Sequence, residues 1–256
     1  MTLMLKEHAM TRLAPLALIG LMAAPVQALD LTKMSDAERQ AFRAEVRAYL
    51  MENPQVILDA VAVLEERNAA AQENADLTLV SDNADAIFND GYSWVGGNPE
   101  GDVTVVEFLD YRCGYCAKAF DEVKELIAAD GNIRFIVKEF PILGQASLDS
   151  SRFAVATKIA AGDEAYDLMH EALMKYRGST KPAALSRLAA SLGLDPEPIV
   201  AALDDPQVDA AIRANHDLAQ KLQINGTPTF VFGDQLLRGY VPLNAMEQIV
   251  EEQREG

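Results

Sequence analysis

The sequence predicts an α/β domain with an all-helical insertion, preceded by a helical arm, and three observations predict it. Two β-branched, apolar runs at residues 103–109 and 133–137 flank a helix-forming stretch, with short connections between them. From about residue 142 to 223 the pattern is helical only, punctuated by Gly162, Gly178, Gly193 and several prolines at helix starts. Strand signal then returns at 229–232 and 235–238, on either side of a Gly233-Asp234 hairpin turn. Strand, helix, strand in that order is a βαβ unit, right-handed in nearly all cases. The layout is βαβ, helical insertion, ββα.

The 256 residues are 50% hydrophobic and 24% charged, enough apolar material for a core that needs no disulfide staples. The formal charge of −17 argues against nucleic acid or an anionic membrane surface as partner, since both require clustered Lys and Arg. Cys113 and Cys116 are the only cysteines, too few for a disulfide scaffold.

The chain starts with a targeting pattern. Lys6, His8 and Arg12 precede an uncharged run over 13–25, and Val26-Gln27-Ala28 places small residues for a cut after about Ala28. That is a secretory signal peptide over 1–28. The uncharged run is too short to span a bilayer, which takes about 20 residues, and no later stretch is long enough. Residues 29–256 are therefore expected in an oxidising compartment, a bacterial periplasm, with no membrane span after cleavage.

Residues 29–75 read as a helical arm and linker. Ser35 with Glu38 makes a capping box. Phe42, Val46, Tyr49 and Leu50 share one helical face, and Asn53-Pro54 breaks the helix. Val56, Ile57, Ala60, Val61 and Leu64 form a second apolar face, with coiled-coil-like spacing of Ile57, Val61 and Leu64. Residues 65–74 are polar and helix-favouring, a helical linker. Residues 79–90 are expected to form a further helix and Gly96-Gly97-Asn98-Pro99 a turn, with Trp94 in the core or on a strand edge. After the first strand the helix runs from about 117 to 129 and ends at Asp130-Gly131-Asn132. Helices are expected within the insertion at 147–161, 163–176, 182–192, 196–203 and 206–222, and a closing helix at 241–252.

Four readings of Cys113-Gly114-Tyr115-Cys116 compete. Zinc needs about four ligands, and the exported part adds only His170 and His216, both read as ordinary helix residues. Haem attachment needs a histidine after the second cysteine, where Ala117 stands. A structural bridge across so small a loop stabilises little. The neighbourhood favours a redox dithiol: the first turn of a helix offers free N–H groups and partial positive charge, which lower a thiol's pKa. Cys113 is then exposed and attacking, Cys116 shielded and resolving, and Gly114 leaves the approach clear. Lys118 reads as a solvated helix residue. The dithiol carries the electrons, so no metal or organic cofactor is called for.

Residues 107–118, Glu-Phe-Leu-Asp-Tyr-Arg-Cys-Gly-Tyr-Cys-Ala-Lys, together with residues 226–230, Gly-Thr-Pro-Thr-Phe, resemble DsbA-family thiol-disulfide oxidoreductases of thioredoxin fold. The signal peptide and helical insertion strengthen the resemblance, which runs over about 79–254. It implies a cis Thr227–Pro228 bond beside the cysteines, with the backbone of Thr227 pairing with bound peptide. It also implies that Glu107, otherwise readable as a solvent-facing strand residue, is a semi-buried carboxylate relaying the proton of Cys116. Gly114-Tyr115 and the Thr before Pro228 are similar to the isomerase DsbC, whereas the oxidase DsbA has Pro-His and Val. Residues 35–75 resemble the N-terminal oligomerisation arm of ScsC-like proteins.

The reading is an exported protein thiol-disulfide oxidoreductase, with an isomerase or reductase role favoured. The alternatives are a monomeric DsbA-like dithiol oxidase, a holdase, or a copper-handling protein. The domains are a signal at 1–28, an arm at 29–75 and a catalytic domain at 76–256. Expected partners are unfolded or misoxidised exported proteins, a redox partner that restores the dithiol, and further copies of the chain in a homodimer or homotrimer. Tyr115 is read as a residue that touches substrate.

Overall fold

The computed structural model describes residues 32–255, so the export signal read at 1–28 lies outside the described residues. The described residues divide into two units, with the boundary between residues 62 and 63. In the first, α1 (Asp36–Glu52) opens on the expected capping box. Ser35 Oγ accepts from the Glu38 N–H at 3.4 Å, and the Glu38 carboxylate accepts from the Ser35 N–H at 2.8 Å. Two first-turn donors are thereby satisfied reciprocally. Asn53 closes α1 by donating its N–H to the Tyr49 carbonyl, and Pro54 bars continuation. α1 buries no residue, and Phe42, Val46, Tyr49, Ile57 and Val61 are all exposed.

The helix that follows, α2 (Gln55–Asp82), corrects one expectation. With no Gly or Pro to stop it, it runs through the polar stretch to Asp82, and only the short α3 (Ala84–Phe88) remains of the helix expected over 79–90. In the second unit the last turns of α2 are anchored. Arg238 donates to both carboxylate oxygens of Asp76 at 2.7 and 2.8 Å and to the Leu222 carbonyl, and Val80 is buried. The fork geometry makes this a strong pair.

The second unit continues with β1 (Trp94–Gly97), β2 (Val103–Leu109), α4 (Gly114–Asp130) and β3 (Ile133–Glu139). The insertion is α5 (Gln145–Lys175), α6 (Pro182–Ser191), α7 (Pro196–Ala202) and α8 (Pro206–Lys221). The chain closes with β4 (Thr229–Phe232), β5 (Gln235–Arg238) and α9 (Leu243–Glu255). Gly162, at φ 83°, breaks α5 into two halves where the sequence expects two helices. Among the described residues no helix is long and apolar enough to cross a membrane.

The five strands lie in the order β1-β3-β2-β4-β5, with β2 and β3 parallel and the other pairs antiparallel. Here a second expectation fails. Gly96-Gly97 is not a turn but the end of β1, paired with Phe135 and Arg134 of β3. Side chains alternate across the sheet. Val105, Leu109, Phe135, Val137, Phe230 and Phe232 pack with Phe120, Val123 and Met246 on one face. Val106, Phe108, Ile136 and Val231 pack with Val80, Ile87, Leu218 and Leu222 on the other. By that alternation Glu107 points with Val105 and Leu109, toward the α4 side.

Candidate active site

β2 ends at Leu109, and the turn through Asp110, Tyr111 and Arg112 delivers Cys113 to the N-cap of α4. Asp110 holds this turn. Its carboxylate accepts from the N–H groups of Arg112, Ile142 and Leu143 at 2.8, 2.8 and 3.0 Å. Cys116 is fully buried one turn into the helix. Cys113 is only 9% exposed, which corrects the expectation of an exposed thiol. Part of its cover is the loop before β4: Cys113 Sγ lies 3.1 Å from the Thr227 carbonyl oxygen, which accepts from the thiol when it is protonated. The Thr227–Pro228 bond is cis, as the resemblance implies, and the Pro228 carbonyl accepts from Gly239 N–H.

The two sulfurs are strongly differentiated. The Cys116 thiol, the Thr227 side chain and the N–H groups of Cys116 and Tyr115 hold Cys113 down to about 5, against an opposing cost of burial. Cys116 is pushed up by its bond to Cys113, by burial and by the nearby charge of Glu107. At neutral pH one sulfur is a thiolate and the other a thiol, the arrangement that attack and resolution require. Val at position 227 removes a hydroxyl that favours the thiolate. Thr227→Val is therefore expected to raise the Cys113 pKa by about one unit, since a hydrogen bond to a charged group contributes about 1.5–3 kcal/mol. The pH dependence of alkylation measures it, and an unchanged value means that the Thr227 hydroxyl does not act on Cys113.

Gly114 begins α4 in open space, with nothing within 4 Å of where a Cβ would stand. Tyr115 is 64% exposed beside Tyr240, their ring centroids 6.3 Å apart. Lys118 is exposed, as read, and its Nζ lies 3.9 Å from the Tyr240 ring centroid. Glu107 is 2% exposed, more deeply buried than the semi-buried carboxylate of the sequence reading. Its Oε1 has no hydrogen-bond partner, and burial together with the Cys113 charge raises it to about 8.

Sequence reasoning missed a buried polar network on the same side of the sheet. The Tyr111 and Tyr166 hydroxyls donate to Glu139 Oε1 at 2.7 and 2.6 Å, and Tyr111 Oη lies 2.9 Å from His170 Nδ1. Burial raises Glu139 to about 7 against the Tyr166 and Tyr111 hydrogen bonds that favour its charge. Burial also lowers His170 to about 3, so the ring is neutral. His170 is thus no ordinary helix residue. The one sequence signal was its helical spacing: His170 shares a face with Tyr166, Leu173 and Met174. Among the described residues no group of three or more His, Cys, Asp or Glu is arranged to hold a metal ion.

The profile of the DSBA-like thioredoxin domain matches residues 104–251, and that of the copper resistance protein ScsC N-terminal domain matches residues 38–71. The crystal structure of a thioredoxin-like oxidoreductase from Silicibacter pomeroyi DSS-3 is 42% identical, with a TM-score of 0.63, covering 67% of this chain and 98% of that one. Proteus mirabilis ScsC in a transitional conformation is 26% identical, with a TM-score of 0.63, covering 87% of this chain and 97% of that one. The Na(+)/H(+) antiporter NhaA 1 of Salinispora arenicola is 32% identical over 157 residues, which are 61% of this chain and 24% of that one. The chain therefore spans about a quarter of the length of the first curated relatives it matches.

Proposed function

The chain belongs to the DSBA-like thioredoxin domain family, whose members are thiol-disulfide oxidoreductases, and on that premise we propose that it is an exported protein disulfide isomerase and reductase rather than a net oxidase. The observation that carries this reading is the asymmetric pair: a Cys113 sulfur beside Thr227, held low by the Cys116 thiol and the first-turn N–H groups, with Cys116 fully buried behind it. Cys113 attacks a sulfur of a substrate disulfide. The substrate S–S bond breaks, one substrate sulfur leaves as a thiolate, and a mixed disulfide forms. Thr227 and Pro228 hold the substrate backbone, and Gly114 and Tyr115 flank the approach.

Two exits follow. Another substrate thiol attacks the mixed disulfide, releasing a rearranged substrate and leaving the dithiol intact, which is isomerisation. Alternatively Glu107 takes the proton of Cys116, and the new thiolate attacks Cys113. A Cys113–Cys116 disulfide forms, the substrate leaves reduced by two electrons, and a separate redox partner must return them. Stabilising the Cys113 thiolate favours the dithiol state and makes the disulfide form a readier oxidant, so the isomerase role rests on a redox partner that keeps the pair reduced.

The exposed apolar residues of α1 and α2 support assembly, because an apolar helical face must be buried against something. The partner in this reading is the same segment of one or two other copies, in closed symmetry, which brings several Cys113 sites to one shared space. The match over 38–71 and the export signal read at 1–28 agree with a periplasmic assembly acting on unfolded or misoxidised exported proteins. Refolding of a scrambled, multi-disulfide substrate tests the reading. Recovery of native activity should depend on Cys113 and outpace the oxidation of the same substrate supplied reduced. The opposite order of rates overturns it in favour of an oxidase.

A further inference from the structure

We infer that His170 is a positioning residue for the resolving half of the exchange, and that the small cavity it lines beside Glu107 is the route by which the proton of Cys116 reaches solvent. The inference rests on the role proposed above for Glu107. The cavity, of about 50 Å³, lies between Trp94 of β1, Glu107 of β2, Phe120 and Lys124 of α4, and Asp167 and His170 of α5. Its inner end is the carboxyl of Glu107, whose buried Oε1 is unpartnered. Its outer edge is Lys124 and Asp167, both exposed. A buried carboxyl oxygen left bare costs about 1–3 kcal/mol or more, and the fold keeps this one uncommitted. The space exceeds the roughly 10–15 Å³ that one water needs, and the walls supply the polar partners it needs.

The charged and titratable groups around Glu107 come from every packed element. Cys113, Cys116 and Lys124 face it from α4 and its cap, and Tyr166, Asp167, His170 and Glu171 lie on α5. Tyr111 and Glu139 stand behind His170. The Lys124 ammonium is occupied by Glu171 at 2.6 Å. His170 is fixed by its neighbours. It is stacked on Tyr166 at 5.8 Å and flanked by the Phe120 edge at 5.4 Å. A tyrosine hydroxyl carries one hydrogen, and Tyr111 gives its own to Glu139 Oε1. His170 Nδ1 is then the donor to Tyr111 Oη, and in the neutral ring Nε2 is the acceptor. A water in the cavity donates to Nε2 and so turns a lone pair toward Glu107. That orientation lets it take the Glu107 proton and pass one on to the Asp167 carboxylate and bulk solvent.

The proton balance is complete. In the mixed disulfide Cys113 carries no charge, which removes one of the two causes that raise Glu107, and the ionised form of Glu107 takes the proton of Cys116 S–H. The Cys116 thiolate forms a bond to Cys113 Sγ as the Cys113–substrate S–S bond breaks, and the substrate sulfur leaves with the electron pair. Glu107 then returns to the carboxylate by losing its proton through the cavity. In the opposite direction the same path admits a proton to the emerging Cys116 thiolate.

The test is rapid mixing of the reduced, full-length exported protein with a disulfide-bonded fluorogenic peptide, which separates attack by Cys113 from resolution by Cys116. His170→Phe removes the acceptor. It is expected to lower the ratio of resolving to attacking rate about tenfold, less than the roughly hundredfold minimum for a group that itself transfers the proton, and to enlarge the solvent deuterium isotope effect on resolution. His170→Gln restores an acceptor and should recover most of the ratio, which a purely structural role for the ring would not produce. Asp167→Asn, at the exposed edge where folding is not at stake, should lower the same ratio by less. Wild-type ratios in His170→Phe and Asp167→Asn, alongside a slowed Glu107→Gln, overturn the inference. A wild-type ratio in Glu107→Gln would instead undo the role proposed for Glu107.

Discussion

Glu107→Gln is expected to stabilise the protein by about 3 kcal/mol at pH 7 and to slow resolution by Cys116 about a hundredfold or more. The signs follow from the raised pKa. In the unfolded chain a glutamate ionises near 4.5, whereas in the fold Glu107 holds its proton until about 8. Below pH 4.5 both states are protonated and Glu107 costs nothing. As pH rises from 4.5 to 8 the unfolded state gains by ionising, and folding stability falls at about 1.4 kcal/mol per pH unit. A glutamine is neutral throughout and escapes that loss. The lowered Cys113 pKa works the other way, favouring the fold at high pH, but it is common to both proteins. Urea unfolding of the reduced proteins at pH 4 and pH 7 measures the effect. The gain should be present at pH 7 and absent at pH 4, and an equal difference at both pH values would refute the assigned burial. The same variant loses its base for Cys116, so a more stable protein should accumulate mixed disulfides.

Charging the apolar face of the arm should abolish assembly. Ile57 and Val61 are exposed in the single chain, so Ile57→Glu with Val61→Glu should not impair folding of the catalytic unit. Burial of each such side chain contributes about 1.5–3 kcal/mol, and the pair together weakens association by two or more orders of magnitude. Light scattering should show the wild-type exported protein as a dimer or trimer and the double variant as a monomer. The variant should still reduce insulin but rescue scrambled substrates poorly. A wild-type protein that is monomeric at micromolar concentration would remove both the assembly and the preference for an isomerase.

Most of the fold was legible because its strongest signals are local. The β-branched runs of β2 and β3, the capping box at Ser35 and the proline-started helices of the insertion announce themselves within a few residues. β1 was hidden because half of its four residues are glycine, and its pairing with β3 is a tertiary event. The alanine-rich middle of α2 carries no period from which to place its end. In the site, the cysteines, Thr227 and Pro228 were legible from spacing and resemblance. The burial of Cys113 was not, because its cover comes from a loop far along the chain. The Tyr111–Glu139–Tyr166–His170 network joins three segments, and no window of sequence holds two of its bonds.

The reach of one contact bears on how the molecule comes into being. Cys113 meets Thr227 across 114 residues, and β2 finds β4 only after the whole insertion. Pairings so distant in sequence form late and slowly. A chain emerging from its N-terminus completes α4 long before Thr227 exists, and an isolated helix of that length is marginal in water. Until α4 is fixed and β4 docks, Cys113 lacks both the first-turn N–H groups and the Thr227 contact, and it stays nearer the free value of about 8.5. Nucleophilic power is therefore conferred by the closing of the fold, and unfinished chains crowded together are poorly equipped to cross-link through their own sulfurs.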